Sequence, residues 1–288
     1  MKKFESARGR LLRRGGIVAG LVAAAGLAVA GAAAASAGSP AASHHGSAPR
    51  PTIVLVHGAW ANGSSWNGVV RRLQAAGYTV DVPSNPLQGL AYDPAYLTDF
   101  LHSLSGPIVL VGHSYGGAVI TNAATGDKQV KALVYVDAFA PDKGQTIGQL
   151  VSSVPGSCVV AADPTTIFNL ATYPGAPAGV FDAYFKQSLF PGCFANGLPL
   201  AQARVLAATA EPLSTIALGQ PSGVPAWKTI PSWAVVGTAD RVILPAVQLA
   251  MARHAHAHIT EVRAPHLSMI SAPGVVTRVI LQAVRATG

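Results

Sequence analysis

Ile108-Val109-Leu110-Val111-Gly112-His113-Ser114-Tyr115-Gly116-Gly117 is the stretch on which the architecture turns. Ile108 to Val111 is an apolar run without alternation, the pattern of a strand buried on both faces. Gly116 to Ala124 reads as a helix. Between them stands a serine with glycine two positions to either side. A serine on so tight a strand-to-helix turn takes a strained backbone that holds its hydroxyl clear of the sheet. Side chains at positions 112 and 116 would collide with neighbouring backbone, which accounts for both glycines. The first amides of the helix favour negative charge beside the hydroxyl. Ser114 is the candidate nucleophile.

Outward from this turn the chain alternates strands and helices. Ile53 to Val56, Tyr78 to Val82 and Val130 to Val136 read as strands; Trp66 to Ala76, closed by Gly77, and Tyr96 to Leu104 read as helices. The alternation stops near Pro141. Residues 141 to 225 are rich in Pro, Gly and Ser, with broken helical patches such as Val180 to Leu189, and read as a cap inserted over the sheet's edge. It resumes with strands Ser232 to Val236 and Ile259 to Val262, a helix Ala246 to His254, and an amphipathic helix Val275 to Arg285. The predicted class is α/β, a mainly parallel sheet with helices on both faces, over residues 52–288.

A serine hydroxyl is a weak nucleophile at neutral pH and needs a base, and the base needs an orienting group. In this architecture the order is serine, acid, histidine. His266 follows the last predicted strand and is the candidate base; a typical imidazole would set the rise in rate near pH 6–7. Asp240, on the loop leaving Trp233 to Val236, is the favoured acid, and Asp137, at the end of Leu133 to Val136, is the alternative. The oxyanion needs two preorganised donors, assigned to the backbone N–H groups of Tyr115 and Ala59. His57 braces the second loop, and Trp60 and Tyr115 are candidate pocket residues.

His57-Gly58-Ala59-Trp60 with Trp66, the Gly112 to Gly117 turn, Tyr135-Val136-Asp137-Ala138-Phe139-Ala140-Pro141 and Gly237-Thr238-Ala239-Asp240 resemble the α/β-hydrolase superfamily. Within it they are similar to the bacterial esterase branch related to plant methylesterases and hydroxynitrile lyases. The resemblance runs from about Thr52 to the C-terminus, the cap excepted. It implies a Ser114–Asp240–His266 triad, no metal, no cofactor, and a small carboxylic ester as substrate. A lyase or cofactor-free oxidising enzyme on the same triad stays open, although hydroxynitrile lyases of this branch carry a lysine near the acid where Arg241 stands here. So does a non-catalytic ligand-binding module.

Charge and cysteines place the chain. Of a net charge of +8, six basic residues against Glu5 alone put +5 in residues 1–37, leaving too little elsewhere for a nucleic-acid surface. That segment, with basic residues up to Arg14, an Ala- and Gly-rich apolar stretch from Ile17 to Ala35, and Ala35-Ser36-Ala37, reads as a signal peptide. Arg13-Arg14 leaves Sec and twin-arginine export both open. Residues 38–51, with His44-His45, read as a flexible lead-in. The expected protein is secreted or extracytoplasmic, without a stable membrane anchor. Cys158 and Cys193, the two cysteines, are then expected to form a disulfide. His254, His256 and His258 alternate like zinc ligands on a strand, but a helix ending near His254 separates them.

Overall fold

A computed structural model describes residues 49–287. The signal-peptide expectation and the lead-in up to residue 48 lie outside the described residues. In chain order the described residues form β1 (Thr52–Val56), α1 (Asn67–Ala75), β2 (Val80–Asp81), α2 (Asp93–His102), β3 (Ile108–His113), α3 (Tyr115–Ala123) and β4 (Val130–Val136). A long insertion carries α4 (Ile147–Ser152), β5 (Phe168–Ala171), β6 (Asp182–Phe185), α5 (Leu200–Ala208) and β7 (Leu213–Ser214). The chain ends with β8 (Ser232–Gly237), α6 (Pro245–His254), β9 (His258–Val262), α7 (Ser268–Ser271) and α8 (Pro273–Thr287).

The main sheet runs β2-β1-β3-β4-β8-β9, and every neighbouring pair is parallel. Ile53 to Val56, all of β3 and all of β8 are buried, which is why these runs do not alternate. From β1 the chain moves out to β2, then returns to begin β3 on the other side of β1. Right-handed crossovers place the helices of opposite travel on opposite faces. Accordingly α1 packs with α8, and α2 packs with α3. In α8 the buried Val276, Val279, Ile280, Ala283 and Val284 recur at helical spacing and lie over β4 and β8.

The reversal of travel lies between β1 and β3. Ligands of open parallel sheets bind at the carboxyl ends of the strands beside such a reversal. Ser114 follows β3 and Ala59 follows β1, so both stand there.

In the insertion, β5, β6 and β7 pair as a small antiparallel sheet. The helical patch expected over Val180 to Leu189 is instead β6 at Asp182–Phe185, followed by a turn over residues 187–190. Ala183 and Phe185 are buried while Tyr184 is exposed, a two-residue period that pairing with Phe168 to Ala171 makes decisive. No helix among the described residues is long and apolar enough to cross a membrane.

Candidate active site

Ser114 has φ 52° and ψ −123°, a backbone that a non-glycine residue takes only under about 1–3 kcal/mol of strain. The glycines around it are steric necessities. A Cβ at Gly112 would sit 2.6 Å from the Gly116 carbonyl oxygen, and one at Gly116 2.7 Å from the carbonyls of Val56 and His57. Gly58 serves the same approach from β1, since its Cβ would lie 2.6 Å from that of Ser114. Gly58 and Gly116 thus let the loop after β1 close over the serine, while Gly112 lets the first turn of α3 pack back on β3.

His266 stands on the loop after β9, fully buried. Its Nδ1–H donates to Asp240 Oδ2 at 2.7 Å, leaving Nε2 to accept from Ser114 Oγ–H at 3.0 Å. Burial pushes its pKa down to about 3, so the resting imidazole is neutral. Asp240, on the turn after β8, accepts at Oδ1 from the N–H groups of Val242 (2.7 Å) and Ile243 (3.1 Å), and at Oδ2 from Gln248 Nε2 (2.7 Å). Burial raises its pKa, and these donors oppose the rise.

Asp137 does not reach His266. It is fully buried at φ 47°, and accepts from Gly237 N–H at Oδ1 (2.8 Å) and from Ser268 N–H at Oδ2 (3.0 Å). One carboxyl thereby ties the end of β8 to the loop of His266. Burial, then the nearby Asp240, raise its pKa well above the ordinary carboxyl value.

The backbone N–H groups of Ala59 and Tyr115 donate to no acceptor among the described residues, and both residues line the cavity above Ser114. His57 donates from Nδ1 to the Gly58 carbonyl (3.0 Å) and accepts at Nε2 from Asn85 N–H (3.3 Å), which fixes the loop beside Ala59. Trp60 lines the cavity, donates its indole N–H to the Ala183 carbonyl (2.8 Å) and stacks on Phe168 at 4.9 Å. The phenol of Tyr115 turns away to donate to Asp93 Oδ2 at 2.7 Å.

The cavity holds about 400 Å³. Its wall is drawn from both layers, with Phe139, Ile147, Val151, Val159, Phe168, Leu170 and Leu213 among its side chains, and no lining residue is charged. Cys158 and Cys193 are joined in a disulfide within the insertion. Its 35-residue separation corresponds to about 3–4 kcal/mol in the chain-entropy account. Among the described residues no cluster of three or more His, Cys, Asp or Glu could hold a metal. His254 instead bonds Asp142 at 2.9 Å, His256 sits in the turn, and His258 opens β9.

Several supporting groups were not legible. Gln248 on α6 and Phe194 in the insertion touch Asp240 and His266 only through the fold. His113 lies inside the turn itself; its Nε2–H donates to the His266 carbonyl at 2.9 Å. Its place beside the serine was the one signal available for it.

The model of the alpha/beta hydrolase family matches residues 53–279. The chain belongs to that family. Among curated proteins it is 34% identical over 114 residues to a carbendazim-hydrolyzing esterase of Nocardioides sp. (strain SG-4G), a match covering 34% of this chain and 46% of that esterase. The chain therefore spans about half the length of that relative. Among solved structures, a pyrethroid hydrolase from Sphingobium faniae JZ-2 is 23% identical with a TM-score of 0.61, covering 82% of this chain and 98% of its own. An extracellular α/β-hydrolase from a Paenibacillus species is 23% identical with a TM-score of 0.64, covering 81% and 98%. At these identities the two structures speak to the fold.

Proposed function

We propose that this family member is a serine carboxylesterase acting on small, uncharged esters through an acyl-enzyme. The observation that carries the reading is the hydrogen-bonded series Ser114–His266–Asp240, set beside two backbone N–H groups that have no acceptor among the described residues. Ser114 Oγ attacks the ester carbonyl while His266 Nε2 takes its proton, and Asp240 stabilises the imidazolium. The carbonyl oxygen becomes an oxyanion held by the N–H groups of Ala59 and Tyr115. Collapse breaks the ester C–O bond, and Nε2–H protonates the leaving alcohol. Water then attacks the acyl-serine by the same route and releases the acid. The names of the Nocardioides and Sphingobium proteins, an esterase and a pyrethroid hydrolase, support this reaction class. The leader-like residues 1–37 and the disulfide support a secreted or extracytoplasmic protein.

The uncharged wall sets the substrate preference. Along a series of aryl esters with lengthening acyl chains, kcat/KM should rise about fourfold per methylene until the cavity is full, following ~0.8 kcal/mol per buried CH₂. Esters bearing a carboxylate or ammonium on that arm should be turned over far more slowly. A panel showing no dependence on apolar size, or a preference for charged arms, would overturn the assignment of this cavity.

The pH profile follows from the buried base. The reaction requires neutral His266, and burial disfavours its protonated form. The acid limb of kcat/KM should therefore lie below pH 6.5, the ordinary imidazole value, and not at the pH 6–7 expected for an exposed one. A pH–rate profile with its acid limb at or above 6.5 would contradict this.

A further inference from the structure

Two loops of the insertion grip the turn that carries Asp240, and a covalent bond joins the two loops to each other. From one side, Cys158 N–H donates to the Arg241 carbonyl at 2.8 Å, and Ser157 Oγ donates to the Val242 carbonyl at 2.6 Å. From the other, Asn196 Nδ2 donates to the Ala239 carbonyl at 2.9 Å, while Arg241 Nη1 reaches back to the Gly192 carbonyl at 3.2 Å. All four bonds fall on residues 239 to 242. The Cys158–Cys193 disulfide closes the ring around them.

The same bond borders the base. Phe194, next to Cys193, is fully buried and meets the His266 ring edge-on, with centroids 4.9 Å apart. From within, the turn is tied to the end of β9 by the N–H groups of Thr238 and Ala239, which donate to the Val262 and Ala264 carbonyls (2.9 and 3.0 Å). Its outer side, with Thr238, Ala239 and Arg241 exposed, is held by the insertion. Surface loops move more than the elements they join, whereas an acid must hold its imidazole to within about 0.5 Å.

Resting on the reading of Asp240 and His266 as acid and base, we propose that the Cys158–Cys193 disulfide is a positioning element for catalysis. It holds the acid's turn in place, and so the Asp240 carboxylate against His266, and activity depends on the bond being oxidised. An external dithiol opens it: two electrons and two protons pass to the cysteine sulfurs, and the dithiol leaves as its own disulfide. Cys158 is the more exposed of the two cysteines, Cys193 being buried, so attack is expected from its side.

The test is a double-mutant cycle between the Cys158→Ser/Cys193→Ser pair and Asp240→Asn, read as kcat on a fluorogenic aryl ester with folded protein. Removing the disulfide should lower kcat about tenfold when Asp240 is present and less than about twofold in the Asp240→Asn background, because the group being positioned has already gone. Equal losses in both backgrounds, or no loss in either, would show a bond that only stabilises the fold, and would overturn the proposal. Should Asp240→Asn by itself keep near-full turnover, the acid assignment fails instead, a separate result. If the cysteine variant does not fold, Asn196→Ala supplies the cycle with the disulfide intact. It should cost about threefold in the presence of Asp240 and nothing measurable in its absence; equal effects again overturn the clamp.

Discussion

Ser114→Ala should remove turnover almost entirely, lowering kcat by about five to six orders of magnitude, as when a serine nucleophile is deleted from a hydrolase triad. What remains would be the oxyanion donors and the binding of the ester, worth about 10³–10⁴ over water. The variant should also lose covalent labelling by a fluorophosphonate probe, which reports the activated hydroxyl separately from any ester assay. The fold should survive. The removed atom is a single oxygen whose partner in the structure is His266 Nε2, and Ser114 is nearly buried, so no surface or packing changes. Circular dichroism and thermal melting should therefore match the parent within a few degrees. Retention of more than a few per cent of turnover in such a folded variant would sink the nucleophile. No labelling of the parent protein would favour a ligand-binding module over an esterase.

The turn at Ser114 could be read from sequence because its causes are local. Two-face burial produces an unbroken apolar run in β3, and the first turn of α3 at Gly116 and Gly117 excludes a Cβ at Gly112. The limit on Gly116 itself comes from Val56 and His57 at the end of β1. Buried apolar runs mark β1, β4 from Ala132 onward and β8 in the same way. The insertion was opaque because its order comes from partners far away in sequence. Asp182 to Phe185 lacks any run long enough to declare itself, and becomes a strand by pairing with Phe168 to Ala171 and Leu213 to Ser214. Its aromatic side chains then form the wall linking Trp60 through Phe168 and Phe185 to Phe194. Chain order could rank Asp240 above Asp137 but could not separate their duties, because both leave the carboxyl ends of neighbouring strands. That distinction depends on which atoms each oxygen meets. Asp137 spends both oxygens on backbone N–H groups; Asp240 keeps one for His266.

That difference gives the second large expected effect, a contrast between Asp240→Asn and Asp137→Ala. In Asp240→Asn the amide has one favourable orientation. Its oxygen replaces Oδ1, where Val242 and Ile243 offer two N–H groups, so the NH₂ must take the place of Oδ2 and face His266. Gln248 cannot relieve this by turning its amide over, since its Nε2 also donates to the Ile243 carbonyl at 2.7 Å. A donor opposite Nδ1 drives the imidazole proton to Nε2, where it can no longer accept from Ser114. The expected loss in kcat is about three to four orders of magnitude, with a melting temperature lowered by only a few degrees, because Gln248 Nε2 then faces a donor in place of Oδ2. Asp137→Ala should behave in the opposite way. It leaves the buried N–H groups of Gly237 and Ser268 unpaired, at about 1–3 kcal/mol each, and should lower the melting temperature by about 5–15 °C. The tautomer of His266 stays correct, so kcat should fall by only about tenfold through loosening of its loop. Measured side by side, a large kinetic loss with a small melting shift identifies the acid, and a large melting shift with modest kinetic loss identifies the brace. If Asp137→Ala gave the kinetic collapse while Asp240→Asn kept its rate, the two assignments would exchange, and the hydrogen bond from His266 to Asp240 would be a structural contact only.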